Sequence, residues 1–277
     1  MSRIRDAFSR AAAEGRTAVM PYVTAGDPHL AVTAALLPVL AAAGADIVEL
    51  GVPYSDPLAD GPTNQRAAER ALAAGTTVAG VLRTVAQARQ KGVAIPIALL
   101  VYYNCIYRHG EAEFVQAAAS AGVDGLIVPD LPPEEASGLR TAAAAAGVDL
   151  VPLAAPTSPD HRLELIGQVA TGFIYCVSVT GVTGARTELP QELPGFLSRV
   201  RRATGGRIPI AVGFGISSPE HVREAGRWAD GVIVGSALVE RLERAATPGA
   251  GIEAAAALVR AMRQAAGEAR VPMTAGG

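Results

Sequence analysis

Residues 43–62 read AGADIVELGVPYSDPLADGP and contain, in order, a helix-to-strand junction, a short apolar strand and a long polar loop. The glycine of the junction is the residue that commonly ends a helix. The run at 46–50 is rich in Ile, Val and Leu and lacks polar alternation, which is typical of a parallel strand buried on both faces. Similar junctions recur at 121–124 and 146–149, so this stretch predicts a repeating β/α architecture.

Eight apolar segments of this kind alternate with alanine-rich helical segments. The predicted strands span 18–23, 46–50, 97–101, 124–128, 149–153, 172–177, 208–212 and 230–234. Eight β/α units in roughly 250 residues predict an α/β protein with a (β/α)8 TIM barrel, preceded by an extra N-terminal helix. A doubly wound open sheet is the alternative, and the strand count and the lack of GxGxxG after the first strand disfavour it. We expect a single TIM-barrel domain over 1–267 and a flexible C-terminal tail over 268–277.

The bulk composition excludes several functional classes. Half of the 277 residues are hydrophobic and the formal net charge is −2, so no basic surface predicts nucleic acid or an anionic membrane as partner. The two cysteines are far apart and indicate a reducing cytoplasm, and no cluster predicts a metal site. The four histidines lie in polar turns or at helix starts, and we expect them on the surface. The N-terminal segment lacks the apolar region of a signal peptide, and no run is long enough to span a membrane.

Two carboxylates stand at the end of the second predicted strand. Glu49 closes the strand, and Asp60 lies in the loop that follows it. In a TIM barrel the carboxyl ends of all strands meet at one face, where two acids across a cavity could transfer protons. A Glu inside an apolar strand is costly to bury without a partner, which favours a functional role for Glu49. Asp56, in the same loop, is equally consistent with an ordinary turn residue.

Glycines follow the seventh and eighth predicted strands. Gly213 and Gly215 follow the seventh, and Gly235 and Ser236 open the helix after the eighth. Glycine lets backbone N–H groups approach a ligand, and a helix N-terminus favours an anion. Loops after these two strands often bind phosphate in this fold, so a phosphorylated substrate is predicted. The long Gly- and Thr-rich loop at 178–190 is either a lid over the substrate or a merely flexible loop.

Five apolar or aromatic residues lie at or near strand ends. They either fill the barrel core or, if the substrate has an aromatic ring, form the wall around it. These residues are Tyr22, Leu100, Ile127, Phe214 and Ile233.

Several stretches resemble the tryptophan synthase alpha chain family. They are PYVTAGDP at 21–28, VELGVPYSDPLADGP at 48–62, TGVTGAR at 180–186, GFGISSPE at 213–220 and VGSALVE at 234–240. The resemblance covers nearly the whole chain in order and with compatible spacing, and the 48–62 segment is highly specific. It implies an aldol-type cleavage of indole-3-glycerol phosphate into indole and glyceraldehyde 3-phosphate, a carbon–carbon lyase reaction of tryptophan biosynthesis.

The resemblance also implies roles for individual residues. Glu49 matches the acid/base at the indole C3, and Asp60 matches the carboxylate that stabilises charge at the indole N–H. Tyr175 and Thr183 match supporting residues, Thr183 as the lid residue that contacts Asp60. The matching phosphate-binding residues are Gly184, Gly213, Gly215, Gly235 and Ser236. The matching indole pocket is formed by Tyr22, Leu100, Ile127, Phe214 and Ile233.

A partner is implied as well. Family members dock on a pyridoxal-phosphate beta chain in an αββα complex, so pyridoxal phosphate is expected only on the partner and this chain needs no cofactor. The matching interface residues are Pro53, Asp56, Asn104, Asp130 and Pro132. Two positions depart from the family pattern: Asn64 replaces a usually apolar residue, and Cys105 replaces a common Pro.

Three alternatives stay open at this point. The chain could be a stand-alone lyase that releases free indole, or a non-catalytic activator of a beta chain. Loss of Glu49 or Asp60 would have supported the activator, and both are present. An unrelated phosphosugar aldolase or isomerase on the same barrel is the third, since fold alone does not fix function. The only lysine, Lys91, lies in a polar turn and disfavours a lysine-based aldolase.

Overall fold

Nine parallel strands form one sheet in the computed structural model, which describes residues 2–178, 189–213 and 215–268. The sheet order is β5-β4-β3-β2-β1-β9-β8-β7-β6. The strands are β1 Ala18–Thr24, β2 Val48–Gly51, β3 Ile97–Leu100, β4 Gly125–Ile127, β5 Asp149–Val151, β6 Leu153–Ala154, β7 Ile174–Val177, β8 Ile210–Gly213 and β9 Gly231–Val234. Each predicted strand segment overlaps an observed strand.

The fifth predicted strand is divided by Pro152, which has no backbone N–H to donate. Strand β5, before the proline, pairs with β4, and β6, after it, pairs with β7. The Pro152 carbonyl still accepts a hydrogen bond from the Tyr175 N–H at 3.0 Å. Because β5 and β6 are consecutive pieces of one strand at the two edges of the sheet, the sheet forms a nearly closed barrel of eight strands. The predicted TIM barrel is confirmed.

Twelve helices surround the barrel in the described part of the chain. They are α1 Arg3–Ala13, α2 Leu30–Ala42, α3 Pro62–Ala73, α4 Val78–Gln90, α5 Tyr103–Tyr107, α6 Glu111–Ala121, α7 Ser137–Ala146, α8 Asp160–Val169, α9 Leu193–Ala203, α10 Pro219–Ala225, α11 Ser236–Arg244 and α12 Pro248–Glu268. Helix α1 is the predicted extra helix. The N-terminal end of the barrel is closed by its Ile4 and Phe8, which are buried among residues such as Met20 of β1 and Phe173, just before β7.

The Asp of the recurring junction links neighbouring strands. Asp46 accepts a hydrogen bond from the Val19 N–H at 2.8 Å, and Asp124 accepts one from the Ile97 N–H at 2.8 Å. Arg16 and Arg89 form ion pairs with these two carboxylates. The paired charge offsets the cost of burying a carboxylate. The junctions therefore hold the amino ends of the strands in register, which leaves the carboxyl ends to carry the site.

The strand residues alternate between two apolar clusters. In β1, Met20 and Tyr22 point into the barrel, whereas Val19 and Val23 pack against the surrounding helices. This alternation follows from the two-residue period of a strand. It places the side chain at every second strand position inside the barrel, where a polar residue must be either paired or functional.

The predicted C-terminal tail begins at Glu268, which is the last residue of α12, and its other residues lie outside the described part. None of the described helices is long and apolar enough to cross a lipid bilayer.

Candidate active site

Glu49 lies in the middle of β2 and points into the barrel. Its register partners are Tyr22 of β1 and Ala98 of β3, and all three belong to interior positions. Only 1% of Glu49 is exposed. Burial, with a smaller contribution from the charge of Asp60, raises the pKa of Glu49 to about 8. Glu49 is therefore protonated at neutral pH and can either give or take a proton close to it.

Asp60 is held in a different environment from Glu49. The Tyr102 hydroxyl donates a hydrogen bond to Asp60 Oδ2 at 2.9 Å and accepts one from the Ala59 N–H at 3.0 Å. Burial raises the pKa of Asp60, while hydrogen bonds from Tyr102 and Asn64 lower it. Glu49 Oε2, by contrast, has no hydrogen-bond partner among the described residues. The geometry thus favours ionisation of Asp60 before Glu49, since only the Asp60 carboxylate is stabilised by donors.

Both acids line one pocket at the carboxyl end of the barrel. The empty space in and at the mouth of this pocket is about 580 Å³, part of which is open solvent. Tyr175 of β7 lies in its wall and is 4% exposed. Thr183, the other predicted supporting residue, lies outside the described residues, as does most of the predicted lid at 178–190.

The predicted indole-pocket residues divide into three groups. Tyr22, Leu100 and Ile233 line the pocket beside the two acids. Ile127 is fully buried in the inner apolar cluster and is not among the pocket-lining residues, so for Ile127 the core interpretation fits better. Phe214 lies outside the described residues. The three lining residues give one apolar wall of the kind that an aromatic ring needs.

Only some of the predicted phosphate-binding residues lie together in the pocket. Gly215, Gly235 and Ser236 line the pocket, and Gly235 is the N-cap of α11. Gly215 has a φ of +81°, which an L side chain rarely adopts. Gly213 is not in the lining, and a Cβ on it would clash with the Tyr175 ring. Gly184 lies outside the described residues. A helix N-terminus beside a glycine turn is suited to an anion.

One histidine is not at the surface, contrary to expectation. His221 of α10 is 4% exposed, and its Nδ1 accepts a hydrogen bond from the Ser217 N–H at 3.2 Å. Ser217 follows Gly215 and Ile216, which line the pocket. The position of His221 at the start of a helix did not predict its burial. The side chain is covered because the turn before α10 packs against the first turn of that helix. His221 thus anchors the glycine turn after β8.

Sequence reasoning missed two residues that lower the pKa of Asp60, Tyr102 and Asn64. Tyr102 follows β3 at the carboxyl end of the barrel, and this position was the only feature of the sequence that indicated a place near the site. Asn64 lies in the first turn of α3, and its departure from the family pattern did not indicate an effect on Asp60. Both side chains are close to Asp60 because its loop folds back over the barrel mouth.

The predicted interface residues lie after β2, β3 and β4, at the same end as the pocket. Asp56, Asn104 and Asp130 are exposed, Pro132 is half-buried, and Pro53 is buried. Two apolar residues close to them in sequence are unusually exposed, Leu58 by 89% and Tyr107 by 70%. The Asn104 amide donates a hydrogen bond to the Tyr54 hydroxyl at 3.3 Å, so the loop after β2 and helix α5 form one surface.

In residues 2–178, 189–213 and 215–268, no three His, Cys, Asp or Glu side chains are grouped so that they could hold a metal ion.

Known proteins share both sequence and structure with this chain. The sequence profile of the tryptophan synthase alpha chain family matches residues 8–267. The tryptophan synthase alpha chain of Roseiflexus castenholzii is 53% identical over 263 residues, which are 95% of this chain and 100% of the relative. That of Chloroflexus aurantiacus is 51% identical over 260 residues, which are 94% and 97% of the two chains.

Solved structures agree with the sequence matches. A structure of tryptophan synthase from Mycobacterium tuberculosis has a TM-score of 0.88 and 36% identity, and covers 96% of this chain and 98% of that one. The tryptophan synthase alpha chain of Legionella pneumophila has a TM-score of 0.85 and 37% identity, with 96% and 97% covered. From the profile, the relatives and the fold, this chain belongs to the tryptophan synthase alpha chain family, a family of carbon–carbon lyases of tryptophan biosynthesis.

Proposed function

We propose that this chain cleaves indole-3-glycerol phosphate into indole and glyceraldehyde 3-phosphate, with Glu49 as the acid/base and Asp60 as the stabilising carboxylate. One observation carries the assignment of roles. Glu49 is buried beside Asp60 with a pKa of about 8, and its Oε2 has no hydrogen-bond partner in the described part of the chain, whereas the Asp60 carboxylate accepts a hydrogen bond from Tyr102. Two carboxyl groups whose surroundings separate their pKa values are suited to different steps of one reaction.

The reaction needs a proton at carbon and a negative charge near nitrogen. Protonated Glu49 gives its proton to the indole C3, and the ring nitrogen then carries positive charge, which the Asp60 carboxylate stabilises. Glu49, now a carboxylate, takes the proton of the side-chain hydroxyl next to C3. The carbon–carbon bond breaks, its electron pair returns to the ring, and indole and the aldehyde form. The proton returns to Glu49, so no net proton is consumed.

The rest of the pocket fits this substrate. Tyr22, Leu100 and Ile233 supply an apolar wall for the indole ring. Gly215, Gly235 and Ser236, at the start of α11, supply the phosphate-binding end. Tyr175 supports the acids from the opposite side of the barrel. The roles that we propose for Gly184, Thr183 and Phe214 rest on the family resemblance alone.

The wider assignment follows from the family. We place the chain in the cytoplasm, as a single domain over 1–267, docked on a beta chain in an αββα tetramer. The exposed surface after β2, β3 and β4 is the proposed contact. Pyridoxal phosphate belongs to the partner, and we assign no cofactor to this chain.

Indole release tests the function directly. The purified chain is incubated with indole-3-glycerol phosphate alone and with a beta chain that lacks its own activity, and indole is measured. Cleavage that the beta chain accelerates supports the proposal. Full activity without the beta chain identifies a stand-alone lyase, and cleavage under neither condition contradicts the proposed function.

A further inference from the structure

His221 is a buried polar side chain that the proposed reaction does not use. It lies in the first turn of α10, and only 4% of it is exposed. A buried imidazole loses its hydration, so it needs hydrogen bonds inside the protein to offset that loss. Its contacts lie in the turn between β8 and α10, which is the turn that brings Gly215 and Ile216 to the pocket.

The contacts of His221 define which ring nitrogen carries the proton. The Ser217 N–H lies 3.2 Å from His221 Nδ1, and the Ser217 hydroxyl lies 3.3 Å from the same nitrogen. A backbone N–H can only donate, so Nδ1 is the acceptor and carries no proton. The imidazole is therefore neutral while this contact is formed, and its proton is on Nε2.

A second hydrogen bond joins the end of the same turn to His221. The His221 N–H donates to the Ser218 hydroxyl at 3.3 Å, and Ser218 is the N-cap of α10. The side chain and the backbone of one residue thus hold Ser217 and Ser218 together. Ile216 is only 2% exposed, so its side chain fixes the turn in the apolar core. These contacts determine where the chain runs immediately after Gly215.

We propose that His221 is a positioning residue that raises the affinity for the substrate phosphate by holding the turn at Gly215 in place. The inference rests on the proposed function, because that function brings a phosphate to Gly215, Gly235 and Ser236. These three residues line one pocket but come from two separate loops, after β8 and after β9. A phosphate that contacts both loops needs them at a fixed spacing, and a preorganised loop loses less conformational entropy on binding.

Two probes that differ only in the phosphate test this role. They are indolepropanol phosphate and indolepropanol, titrated into the wild type and His221→Leu with binding followed by NMR. Leucine fills the space but has no acceptor for the Ser217 N–H. The variant should bind indolepropanol phosphate about tenfold more weakly and indolepropanol as the wild type does. Equal weakening of both probes would make His221 a purely structural residue, and unchanged binding of both would show that the turn does not need it. Either result overturns the proposal.

Two further variants separate loss of the acceptor from loss of the ring. His221→Asn places an amide oxygen close to the position of Nδ1 and should recover most of the lost affinity for the phosphate probe. An affinity as low as that of His221→Leu would contradict the role of the acceptor. His161→Leu is the control, because it makes the same substitution at an exposed position in the first turn of α8. Its binding of both probes should match that of the wild type.

The other side of the contact gives a milder variant. Ser217→Ala removes the hydroxyl that faces Nδ1 and keeps the backbone N–H, so it tests the contact even if His221→Leu does not fold. It should weaken binding of indolepropanol phosphate by about threefold and leave binding of indolepropanol unchanged. Wild-type affinity for both probes in Ser217→Ala would count against the proposal.

Steady-state indole release, measured with the inactive beta chain present, gives the matching kinetic signature. Contacts that are equally strong in the ground state and the transition state change KM and leave kcat unchanged. His221→Leu should therefore raise the KM for indole-3-glycerol phosphate about tenfold and keep kcat within about twofold of the wild type. A lower kcat at an unchanged KM would overturn the phosphate role. A wild-type chain that neither cleaves the substrate nor prefers the phosphate probe would instead contradict the proposed function.

Discussion

At the scale of single residues, Glu49 and Asp60 differ because their neighbours differ. Glu49 lies among strand residues, and its Oε2 has no partner in the segments that the structure describes, whereas Asp60 lies in a loop where Tyr102 donates a hydrogen bond to it at 2.9 Å. Burial raises the pKa of both groups, but only Asp60 has donors that oppose the rise. A buried acid with a raised pKa destabilises the folded protein as the pH rises, because the unfolded chain ionises more easily. This effect is a measurable consequence of the proposed site.

The stability cost gives a pH prediction for Glu49→Gln. The pKa of Glu49 is about 8 in the folded chain and 4.5 for an ordinary Glu, so the folded state binds the proton more tightly. The resulting stability is fully present below about pH 4.5 and is lost as the pH rises through about 8. The free energy of unfolding of the wild type, relative to Glu49→Gln, should therefore fall by a few kcal/mol across this range.

Urea unfolding of both proteins at about pH 5 and about pH 9 measures this difference. Because Gln does not titrate, the variant removes the Glu49 contribution and keeps nearly all others. A difference that stays constant over this range would mean that Glu49 ionises normally in the folded chain.

The sequence predicted Glu49 and Asp60 because a carboxylate in an apolar strand and an acid in the next loop both follow simple rules. It could not predict Tyr102 or Asn64 as their neighbours. Their contacts depend on how the loop after β2 folds over the barrel mouth, and no periodic pattern encodes the path of an irregular loop.

At the scale of elements, two strands end in a glycine that packs against a tyrosine of the neighbouring strand. Tyr22 of β1 lies over Gly51 of β2, and Tyr175 of β7 lies over Gly213 of β8. In both pairs the glycine is two residues beyond the level of the tyrosine, which leans along the barrel toward the pocket. The sequence suggested phosphate binding for Gly213, whereas the described residues give it a packing reason. Strand ends were predictable from composition, but this contact between neighbouring strands was not.

A methyl group at Gly213 should therefore harm the fold. Its Cβ would lie 2.7 Å from ring carbons of Tyr175, so the ring must move. Gly213→Ala should lower the free energy of unfolding by about 1–3 kcal/mol and weaken binding of indolepropanol phosphate. Denaturant unfolding and ligand titration measure the two effects.

Gly195→Ala is the matched control for that experiment. Gly195 lies inside α9, and a Cβ there has no atom within 4 Å in the described part of the chain. Alanine favours a helix, so this variant should be neutral or more stable by up to about 1 kcal/mol. Equal stability of Gly213→Ala and Gly195→Ala would show that the tyrosine contact is unimportant.

At the scale of the whole molecule, the barrel brings residues from distant parts of the sequence to one face. Glu49, Tyr175 and Ser236 come from three different β/α units and line the same pocket. This gathering was predictable because all strands of a TIM barrel point the same way. The division of the fifth strand at Pro152 and the high exposure of Leu58 and Tyr107 were not predicted, since each depends on tertiary geometry.

The exposed apolar residues give a prediction for the partner surface. Leu58 is 89% exposed in the loop that also carries Asp56 and Asp60, and burial of such a residue is a common source of binding energy. Leu58→Ser should weaken binding of the beta chain about tenfold or more. Calorimetric titration of the alpha chain variants with the beta chain measures the affinity.

Leu72→Ser is the matched control, because it makes the same substitution at a surface position outside the proposed interface. Leu72 lies on α3 at the side of the barrel and is 38% exposed. Its replacement should leave the affinity for the beta chain unchanged. If both variants bind the beta chain as the wild type does, the loop after β2 is not part of the interface.

The central claim is that Glu49 moves the proton at the indole carbon. Its most direct test is the rate of indole release in a single turnover, with saturating enzyme, for the wild type and Glu49→Gln. The variant keeps the size and burial of the side chain but cannot ionise. We expect indolepropanol phosphate to bind both proteins with similar affinity, while release falls by about 10²-fold or more in the variant. Release at nearly the wild-type rate would contradict the claim and leave Glu49 as a structural residue.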